Sequence, residues 1–359
     1  MLREKVRNIN ARVYPGKVLV GPEWVVLGVN NVCNLHCKMC DVGNGNTDTV
    51  FAQNLVGTHP LNMPLELISK IIDQTARYSP KSKLAYAFTE PLVYPHLEES
   101  LKLADQKGLF TTITTNALVL RQKAKMLCES GLNELYVSLD GPQDVHNEIR
   151  GNKRSFQKAL EGLEVLAGEK NPPKIDVICA ITEWNTGNLM ELLDSLKGMP
   201  IREVSFMHTQ FTDEKMAEIH NAKWGHLYPA TASNLDEVDF SKMDLNELMN
   251  EIREMRKRDY PFRISFSPEI EDPDYLQDYY LKPERILGKY CTAIFSSIMF
   301  KSDGSAIPAH GRCFNLTLGN LYEQDFPQIW NSKTAADFRT SIMKEGGFMP
   351  ACSRCCSAT

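Results

Sequence analysis

The chain has 359 residues, enough for a large α/β barrel with an appended domain. Its 43% hydrophobic and 24% charged residues are typical of a globular protein, and its formal net charge of −5 argues against nucleic-acid binding. No apolar run is long enough to cross a membrane, and the N-terminus MLREKVRNINARVYPG lacks the apolar core of a signal peptide. We therefore expect a cytoplasmic protein, without a nucleic acid or a membrane as partner, whose ten cysteines serve as metal ligands or reactive thiols.

Short apolar strands alternate with amphipathic helices from Trp24 onward. The pattern predicts six strand–helix units of roughly 25–35 residues each, the repeat of parallel βαβ units. The six predicted strands are WVVLGVN, LAYAF, FTTITT, ELYVSL, KIDVICAI and REVSFM. Six units in this order predict an α/β fold, a partial (β/α)6 TIM-like barrel whose chemistry lies at the C-terminal ends of its strands.

Four regions follow from this pattern: an N-terminal extension (1–22), the barrel (23–207), a connecting region (208–285) and a small C-terminal α+β domain (286–359). The connecting region contains two helical patterns and the segment FRISFSP, and we expect it to line the substrate pocket. In the last region, SSIMFKSDGSAIPA predicts a β-hairpin that turns at Asp303-Gly304. The segment DFPQIWNSKTAADFRTSIM predicts one helix.

Three cysteines crowd the loop after the first predicted strand, in the segment NVCNLHCKMCDVG. Cys33, Cys37 and Cys40 are an odd number, so they cannot all form disulfides, and a structural zinc site needs four ligands. A 4Fe–4S cluster is normally held by four cysteines, so three thiolates leave one iron open. A zinc site or an incidental cysteine cluster is the alternative.

This cysteine spacing, at the exit of the first strand of a partial barrel, resembles the radical S-adenosylmethionine (SAM) superfamily. The resemblance implies a 4Fe–4S cluster on Cys33, Cys37 and Cys40, with SAM bound to the open iron. It also implies reductive cleavage of SAM to a 5′-deoxyadenosyl radical, which abstracts hydrogen from the substrate. An external electron donor such as flavodoxin or ferredoxin is then expected as a partner.

Further segments resemble the SAM-binding positions of this family. The segment FTEPL stands where the family often has Gly-Gly-Glu, which implies that Thr89 and Glu90 bind the SAM amine. The segment TTNA implies a role for Asn116, and SLDGPQDVHNEIRG implies that Ser138 and Arg150 bind SAM. The guanidinium of an arginine suits a carboxylate because it donates two parallel hydrogen bonds.

Two other residues have a cofactor role and a structural alternative. Asp140 belongs to the motif that contains Arg150, and its alternative role is to shape the turn with Gly141-Pro142. Asn185, just past the fifth strand, lies near the adenine of SAM or belongs to the cap region of the next helix.

A second set of cysteines lies in the C-terminal region: Cys291, Cys313, Cys352 and Cys355. Together with the segment LGNLYEQDFPQIWNS, it resembles the cluster-binding extension called SPASM, or its shorter form, twitch. The resemblance implies one auxiliary 4Fe–4S cluster, and a zinc ribbon is the alternative because four thiolates also suit zinc. Cys356 either replaces Cys355 as a ligand or is a free thiol.

Three cysteines are not assigned to either set. Cys128 lies on a barrel helix and is expected to be buried packing. Cys179 is either core packing on the fifth strand or a hydrogen-atom donor to a substrate radical. Cys356 is the second candidate donor.

The substrate is expected to be a small polar molecule, a sugar or a cyclitol, that undergoes two-electron dehydrogenation with electron transfer to the auxiliary cluster. Twitch-bearing members of the family oxidise a cyclitol in this way. The alternatives are epimerisation with a cysteine hydrogen donor, modification of ribosomal peptides, and a non-enzymatic metal scaffold. No spacing rule selects among the polar pocket candidates, which are Tyr86, His208, Gln210, His220 and Arg263.

Overall fold

One sheet of ten strands organises the computed structural model, which describes residues 2–358. The strand order is β10-β9-β8-β1-β2-β3-β4-β5-β6-β7. The strands are Trp24–Leu27 (β1), Lys83–Tyr86 (β2), Phe110–Thr115 (β3), Glu134–Ser138 (β4), Lys174–Ile181 (β5), Glu203–His208 (β6), Arg263–Ser267 (β7), Ser297–Phe300 (β8), Ser305–Pro308 (β9) and Gly319–Asn320 (β10). Neighbouring strands from β8 through β1 to β7 are parallel, and β8, β9 and β10 pair antiparallel.

Helices connect the parallel strands and cover the sheet. They are Leu2–Val13 (α1), Asp41–Asn44 (α2), Val50–Val56 (α3), Leu65–Tyr78 (α4), Leu97–Gln106 (α5), Leu120–Glu129 (α6), Gln143–Ile149 (α7), Ser155–Gly168 (α8), Leu189–Leu196 (α9), Glu214–Trp224 (α10), Leu245–Lys257 (α11), Pro273–Leu281 (α12), Ala293–Ser296 (α13), Phe326–Trp330 (α14) and Lys333–Lys344 (α15). The partial barrel predicted from the sequence is confirmed, because β1 to β6 are parallel and follow one another in chain order.

The connecting region supplies a seventh parallel strand, which extends the predicted six. Strand β7 pairs with β6 in the register Val204↔Ile264. Its residues are half-buried or exposed, so the segment FRISFSP lacks the apolar run that marks the other strands. The predicted connecting region is therefore partly barrel.

The predicted hairpin is confirmed and joins the same sheet. Strands β8 and β9 pair antiparallel, and the turn places Gly304 at φ +80°, a conformation that glycine adopts without strain. Strand β8 also pairs in parallel with β1, in the register Val25↔Ile298. The sheet therefore continues across the domain boundary predicted near residue 286, and the C-terminal cysteines are anchored to the barrel.

The prediction of one helix over DFPQIWNSKTAADFRTSIM is wrong, because the structure has two helices, α14 and α15. Asn331 lies between them, and its side-chain amide bonds both the N–H and the C=O of Val18. Ser332 then begins a new helix by accepting a hydrogen bond from the N–H of Ala335. A contact distant in sequence therefore interrupts a helical pattern.

Successive side chains along each strand point alternately into the hydrophobic core and into the barrel interior. On β5, Val177, Cys179 and Ile181 are fully buried in the main hydrophobic core, whereas Ala180 faces the barrel interior. Because all parallel strands end at the same edge, the loops that carry the candidate residues converge there.

Candidate active site between two cysteine sets

The loop after β1 carries Cys33, Cys37 and Cys40 and is fixed from several sides. The N–H of Lys38 donates to the carbonyl of Ile149 on α7 at 3.0 Å. A Cβ at Gly43 would lie 2.6 Å from the backbone nitrogen of Cys37, so only glycine fits there without a shift. The loop conformation is therefore determined by close packing rather than by a metal alone.

Cys37 is buried, and Cys33 and Cys40 are half-buried. Burial raises the pKa of Cys37 to about 12, and the nearby Arg150 opposes this shift. Burial also raises the pKa of Cys33 and of Cys40. Backbone N–H groups near Cys33 and Cys40 oppose these shifts by favouring their thiolate forms. Buried thiols with N–H donors and one nearby cation suit a bound iron–sulfur cluster, whose negative charge these groups offset.

Arg150 joins this loop to the strand-four motif. Its Nε donates to Asp140 Oδ2 at 2.5 Å, and its Nη1 lies 3.7 Å from Cys37 Sγ. The other carboxylate oxygen of Asp140 accepts from the N–H of Ala180 at 3.0 Å. Asp140 is thus more than a turn residue, since it holds the guanidinium beside the cysteines. Ser138, at the end of β4, has no side-chain hydrogen bond to the residues that the structure describes.

Glu90 braces two loops through its carboxylate, and its predicted contact with the SAM amine stays a prediction. The carboxylate is fully buried and accepts from Thr115 Oγ1 at 2.7 Å and from the N–H groups of Leu92 and Asn116 at 2.9 and 2.8 Å. The hydroxyl of Thr89 donates to the carbonyl of Asn30 at 2.8 Å. These bonds hold the ends of β1, β2 and β3 together.

Two predicted cofactor residues also bind other parts of the protein. Asn116 Nδ2 donates to Asn34 Oδ1 at 2.8 Å, so Asn116 tethers the cysteine loop. Asn185 is fully buried, and its Nδ2 donates to the carbonyls of Asp140 and Ala180, both at 2.7 Å. The structure therefore places Asn185 as a brace between the ends of β4 and β5, and its position near the adenine of SAM stays a prediction.

The second cysteine set lines one small cavity of about 50 Å³, here called the cluster cavity. Cys291, Cys313, Cys352 and Cys355 all line it, together with His310. Four converging thiols are a complete donor set for one 4Fe–4S cluster. They come from the segment before β8, the segment after β9 and the C-terminal turn, so only the tertiary structure assembles the set.

Cys356 faces a different cavity from Cys355. It lines the barrel cavity, a space of about 400 Å³ at the C-terminal ends of the strands, and does not line the cluster cavity. A hydrogen bond between the two thiols lowers the pKa of Cys355 and raises the pKa of Cys356. These observations support Cys355 as the fourth ligand and Cys356 as a thiol that keeps its proton. His310, Cys355 and Cys356 also hold their ligand atoms within 4.8 Å of one another.

The barrel cavity lies between the two cysteine sets. Met39, next to Cys40, lines it, and so does Cys356. His310 and Arg312 line both this cavity and the cluster cavity. The remaining lining residues are Val26, Ala85, Ala87, Phe88, Ala180, Met207, His208, Thr209, Gln210 and Asn234.

Cys179 does not line the barrel cavity, and its position fits core packing, the first of its two predicted roles. It is fully buried in the hydrophobic core, and its neighbour Ala180 faces the cavity instead. Because side chains alternate along a strand, Cys179 points towards the helices. Cys356 remains as the candidate donor. Cys128, predicted as buried packing, packs against the core in a half-buried position.

Of the five polar pocket candidates, the structure brings His208 and Gln210 to the barrel cavity. Tyr86 is buried, with its hydroxyl bonded to Ser100, and His220 stacks on Phe314. Arg263 is exposed and pairs with Glu203. These three lie outside the cavity.

Sequence reasoning missed Asp41, which follows Cys40 directly. The side chain is fully buried, accepts from Thr49 Oγ1 at 2.6 Å and accepts from the N–H of Asn234 at 2.5 Å. Asn234 has φ +59° and lines the barrel cavity. Asp41 therefore ties the first cysteine loop to the connecting region. Only its position beside a cysteine ligand pointed to it, because a lone acidic residue is more often exposed.

Two family models match the chain. The Radical SAM superfamily model matches residues 28–196, and SPASM, an iron–sulfur cluster-binding domain, matches residues 291–356. Each match contains one of the two cysteine sets. The chain belongs to the radical SAM superfamily and carries a SPASM domain.

Curated relatives differ in what they are named for. The chain is 24% identical over 322 residues to Fe-coproporphyrin III synthase of Methanosarcina barkeri, covering 85% of this chain and 73% of that protein. It is 24% identical over 198 residues to GTP 3′,8-cyclase of Campylobacter fetus, covering 54% of this chain and 58% of that protein. The chain thus spans little more than half the length of the cyclase.

Solved structures share the fold. SuiB of Streptococcus suis bound to its precursor peptide SuiA superposes with a TM-score of 0.64 at 17% identity, over 94% of this chain and 71% of that chain. The enzyme anSMEcpe with bound AdoMet superposes with a TM-score of 0.58 at 15% identity, over 88% and 82% of the two chains. At these identities the likeness shows the fold alone.

The cofactors are SAM and two 4Fe–4S clusters, which the family match and the two thiol sets support together. Cys33, Cys37 and Cys40 would hold the cluster that binds SAM, and the set in the cluster cavity would hold the other. Among residues 2–358, no helix combines the length and the apolar character needed to cross a membrane.

Proposed function

We propose that this radical SAM enzyme oxidises a small alcohol, held in the barrel cavity, to a ketone. The observation that carries the proposal is the shared wall: His310 and Arg312 line both the barrel cavity and the cluster cavity, while Met39 reaches the barrel cavity from the first cysteine loop. A substrate in the barrel cavity would therefore lie between the two cysteine sets. That position suits a reaction that begins at one set and ends at the other.

When loaded, the first site supplies the 5′-deoxyadenosyl radical and the second supplies an electron acceptor. The overall change would balance: the substrate carbon would lose one hydrogen atom to the 5′-deoxyadenosyl radical, which becomes 5′-deoxyadenosine. The hydroxyl would lose one proton to solvent, and one electron would pass from the substrate to the acceptor at the second site. Methionine is the other product of SAM, and each cleavage consumes one electron from an external donor, for which we propose flavodoxin or ferredoxin. Arg150 and Ser138 would orient SAM, and the apolar cavity walls would exclude water.

The named relatives do not select one substrate class. Their names refer to a porphyrin and to a nucleotide, and SuiB was crystallised with a peptide. The proposal therefore specifies only an oxidisable hydroxyl group, which a sugar or a cyclitol would also provide.

Cys356 supports a second candidate function, epimerisation. Its side chain lines the barrel cavity, where a thiol could return a hydrogen atom to a substrate radical. The product would then carry one solvent-derived hydrogen at an inverted carbon, and the substrate would undergo no net oxidation.

Anaerobic reconstitution with SAM and dithionite, with candidate alcohols that carry deuterium on the hydroxyl-bearing carbon, tests the proposal. We expect deuterium in 5′-deoxyadenosine and one equivalent of ketone, read by mass spectrometry. Transfer of deuterium without any ketone would exclude dehydrogenation.

Two single substitutions separate the two candidate functions. Under dehydrogenation, Cys356→Ala keeps ketone formation, whereas Cys352→Ala loses ketone and still cleaves SAM. Under epimerisation, Cys356→Ala stops turnover and abolishes solvent deuterium in the product. A Cys352→Ala enzyme that still makes ketone at the wild-type rate would contradict the proposed role of the second cluster.

A further inference from the structure

Arg312 contributes a cation to the wall that the barrel cavity and the cluster cavity share. Among the described residues that line these two cavities, it is the one lysine or arginine, and no aspartate or glutamate lines either of them. Elsewhere the walls of the barrel cavity are mainly apolar, with side chains such as Val26, Ala87 and Phe88. Of the charged groups that a ligand can carry, only an anion therefore finds an opposite charge in these walls.

No carboxylate among the residues that the structure describes forms an ion pair with Arg312. Asp41 is close enough to act on it electrostatically, but the oxygens of Asp41 accept instead from Thr49 Oγ1 and from the N–H of Asn234. The guanidinium lies over the ring of Phe51, with its central carbon 4.9 Å from the ring centre. Stacking occupies one face of the guanidinium, whereas its N–H groups lie in the plane and remain available to a ligand.

The nitrogens of Arg312 can be reached from the cavities. The residue is half-buried, and none of its three side-chain nitrogens is both fully enclosed and unpartnered. Nη1 of Arg339 shows the contrast, because it is enclosed by protein and has no hydrogen-bond partner within the described part of the chain. A cation that is partly removed from water, can be reached and has no acidic partner points to an anionic ligand.

The backbone that carries Arg312 is anchored to α3 on both sides of the residue. Nδ2 of Asn54 donates to the carbonyl of Gly311 at 2.9 Å and to the carbonyl of Cys313 at 2.6 Å. A Cβ at Gly311 would lie 2.6 Å from Cδ2 of Leu55, so the chain also packs closely against this helix. The fold therefore positions the guanidinium before a ligand binds, which reduces the entropic cost of binding.

We propose that Arg312 binds a carboxylate of the substrate, so that the substrate is a hydroxy acid. Two parallel N–H groups of a guanidinium match the two oxygens of a carboxylate. A phosphate dianion would leave its second charge unpaired, since no second lysine or arginine among the described residues lines the cavity. This inference rests on the proposed function, because it names the class of alcohol that the barrel cavity holds.

A comparison of three ring compounds tests the carboxylate. The compounds are trans-4-hydroxycyclohexanecarboxylate, its primary amide and trans-4-hydroxycyclohexyl phosphate, which share the ring and the hydroxyl and differ in charge. Anaerobic isothermal titration calorimetry measures their binding to the SAM-loaded enzyme with both clusters, without a reductant, so that no turnover occurs. We expect the carboxylate to bind about tenfold more tightly than either of the others, the size of one charge-assisted hydrogen bond.

Substitutions test the residue. Arg312→Gln should remove the preference for the carboxylate over the amide, with SAM affinity and iron content unchanged. Arg312→Lys keeps the charge without the planar fork and should retain part of the preference, which also covers the case in which the glutamine variant does not fold. Arg263→Gln is the control, because Arg263 is exposed, pairs with Glu203 and lies outside the barrel cavity.

Four results would overturn the inference. The first is a wild-type enzyme that binds the amide or the phosphate as tightly as the carboxylate. The second is a preference that survives in Arg312→Gln or that is lost equally in the Arg263→Gln control. The third is loss of SAM affinity in both Arg312 variants, which would assign the arginine to the cofactor. The fourth is loss of about four irons in both variants, which would assign it to the second cluster.

Turnover after addition of dithionite separates this inference from the proposed function. If the hydroxy acid binds with the expected preference and no ketone forms from it, the dehydrogenation fails and the assignment of Arg312 stands. If the amide is oxidised to a ketone as fast as the acid, the dehydrogenation stands and the carboxylate site is excluded.

Discussion

Arg150 shows how a single side chain connects the two halves of the SAM site. Asp140 holds its Nε, so the guanidinium cannot swing away from Cys37. A lysine keeps the charge but lacks the planar guanidinium, which can donate hydrogen bonds to Asp140 and to a second carboxylate at the same time. The role of Arg150 therefore depends on geometry as much as on charge.

We predict that Arg150→Lys weakens SAM binding about tenfold, the loss of roughly one charge-assisted hydrogen bond. Both clusters should remain, because Arg150 is not a ligand. Equilibrium dialysis with labelled SAM measures the affinity, and iron analysis measures the clusters. Arg121→Lys is the control, since Arg121 forms an exposed ion pair with Glu161. Unchanged SAM affinity in Arg150→Lys would reduce Arg150 to a structural role.

The first cysteine set gives a second test at this scale. The wild-type enzyme should contain about eight irons, from two four-iron clusters. Substitution of Cys33, Cys37 and Cys40 by alanine should leave about four irons and abolish formation of 5′-deoxyadenosine. Chemical iron analysis and chromatography of the SAM products provide the two measurements. Residual 5′-deoxyadenosine from the triple variant would mean that another site cleaves SAM.

At the scale of elements, Arg354 links the C-terminal turn to α12. It is fully buried and donates to the carbonyls of Tyr279 at 2.6 Å, Asp278 at 2.9 Å, Arg285 at 3.0 Å and Lys282 at 3.1 Å. These carbonyls lie at the end of α12 or just beyond it, where helical partners run out. One guanidinium inside the C-x-x-C therefore positions two cluster ligands against a helix end.

We expect Arg354→Met to lower the free energy of unfolding by roughly 3 kcal/mol, because four carbonyls, two of them in buried hydrogen bonds, lose a charged donor. Iron content should fall towards one cluster. Thermal unfolding followed by circular dichroism measures the stability. Arg285→Met should cost less than about 1 kcal/mol, since Arg285 is exposed and Asp278 keeps Lys282 as a second ion-pair partner. Equal effects of the two substitutions would contradict the bracing role.

Gly43, in α2, packs tightly against the first cysteine loop, as Arg354 packs the C-terminal turn against α12. A Cβ there would lie 2.6 Å from the nitrogen and 2.7 Å from the oxygen of Cys37. Gly43→Ala must therefore displace backbone beside a ligand, and we predict loss of the first cluster with the second retained. Iron analysis should show the loss, whereas Gly168→Ala, which has nothing within 4 Å, should retain full iron. A fully loaded Gly43→Ala enzyme would show that the loop adapts.

At the scale of the whole molecule, buried histidines make stability depend on pH. Burial lowers the pKa of both His146 and His208 to about 3, from an ordinary value of 6.5. Below pH 6.5 the unfolded chain binds protons that the folded protein does not, so stability falls as the pH drops towards 3. Above pH 6.5 neither state is charged at these residues, and their contribution to the pH dependence vanishes.

His146→Asn tests this dependence. An asparagine oxygen can replace Nδ1 as acceptor for the N–H of Asp140, which lies 3.1 Å away. Between pH 7.5 and 5.5, the variant should lose about 1.4 kcal/mol less stability than the wild type, the cost of leaving one histidine uncharged. Urea unfolding of both proteins at the two pH values gives the change in unfolding free energy for each. The effect of pH on the clusters is common to both proteins and cancels when the two changes are subtracted. Parallel curves would show that His146 is charged in the folded protein.

The first six barrel strands could be predicted from the local pattern of apolar and polar residues. Strands β1 to β6 are short apolar runs between amphipathic helices, and parallel strands buried on both faces require such runs. Strand β7 and the break at Asn331 did not follow, because β7 is only half-buried and the break depends on Val18, far away in the sequence.

The sequence by itself indicated the first cysteine set, since the spacing of Cys33, Cys37 and Cys40 is local, whereas the second set followed only from a resemblance to a cluster-binding domain. Only the tertiary structure decided which of two neighbouring thiols lines the cluster cavity and which lines the barrel cavity. Cys355 and Cys356 are neighbours in the chain, and their directions depend on how the C-terminal turn packs against the barrel. Likewise, the carboxylate of Glu90 accepts a hydrogen bond from Thr115, which lies on another strand. Side-chain direction and competition for hydrogen bonds arise between distant segments, so no local pattern encodes them.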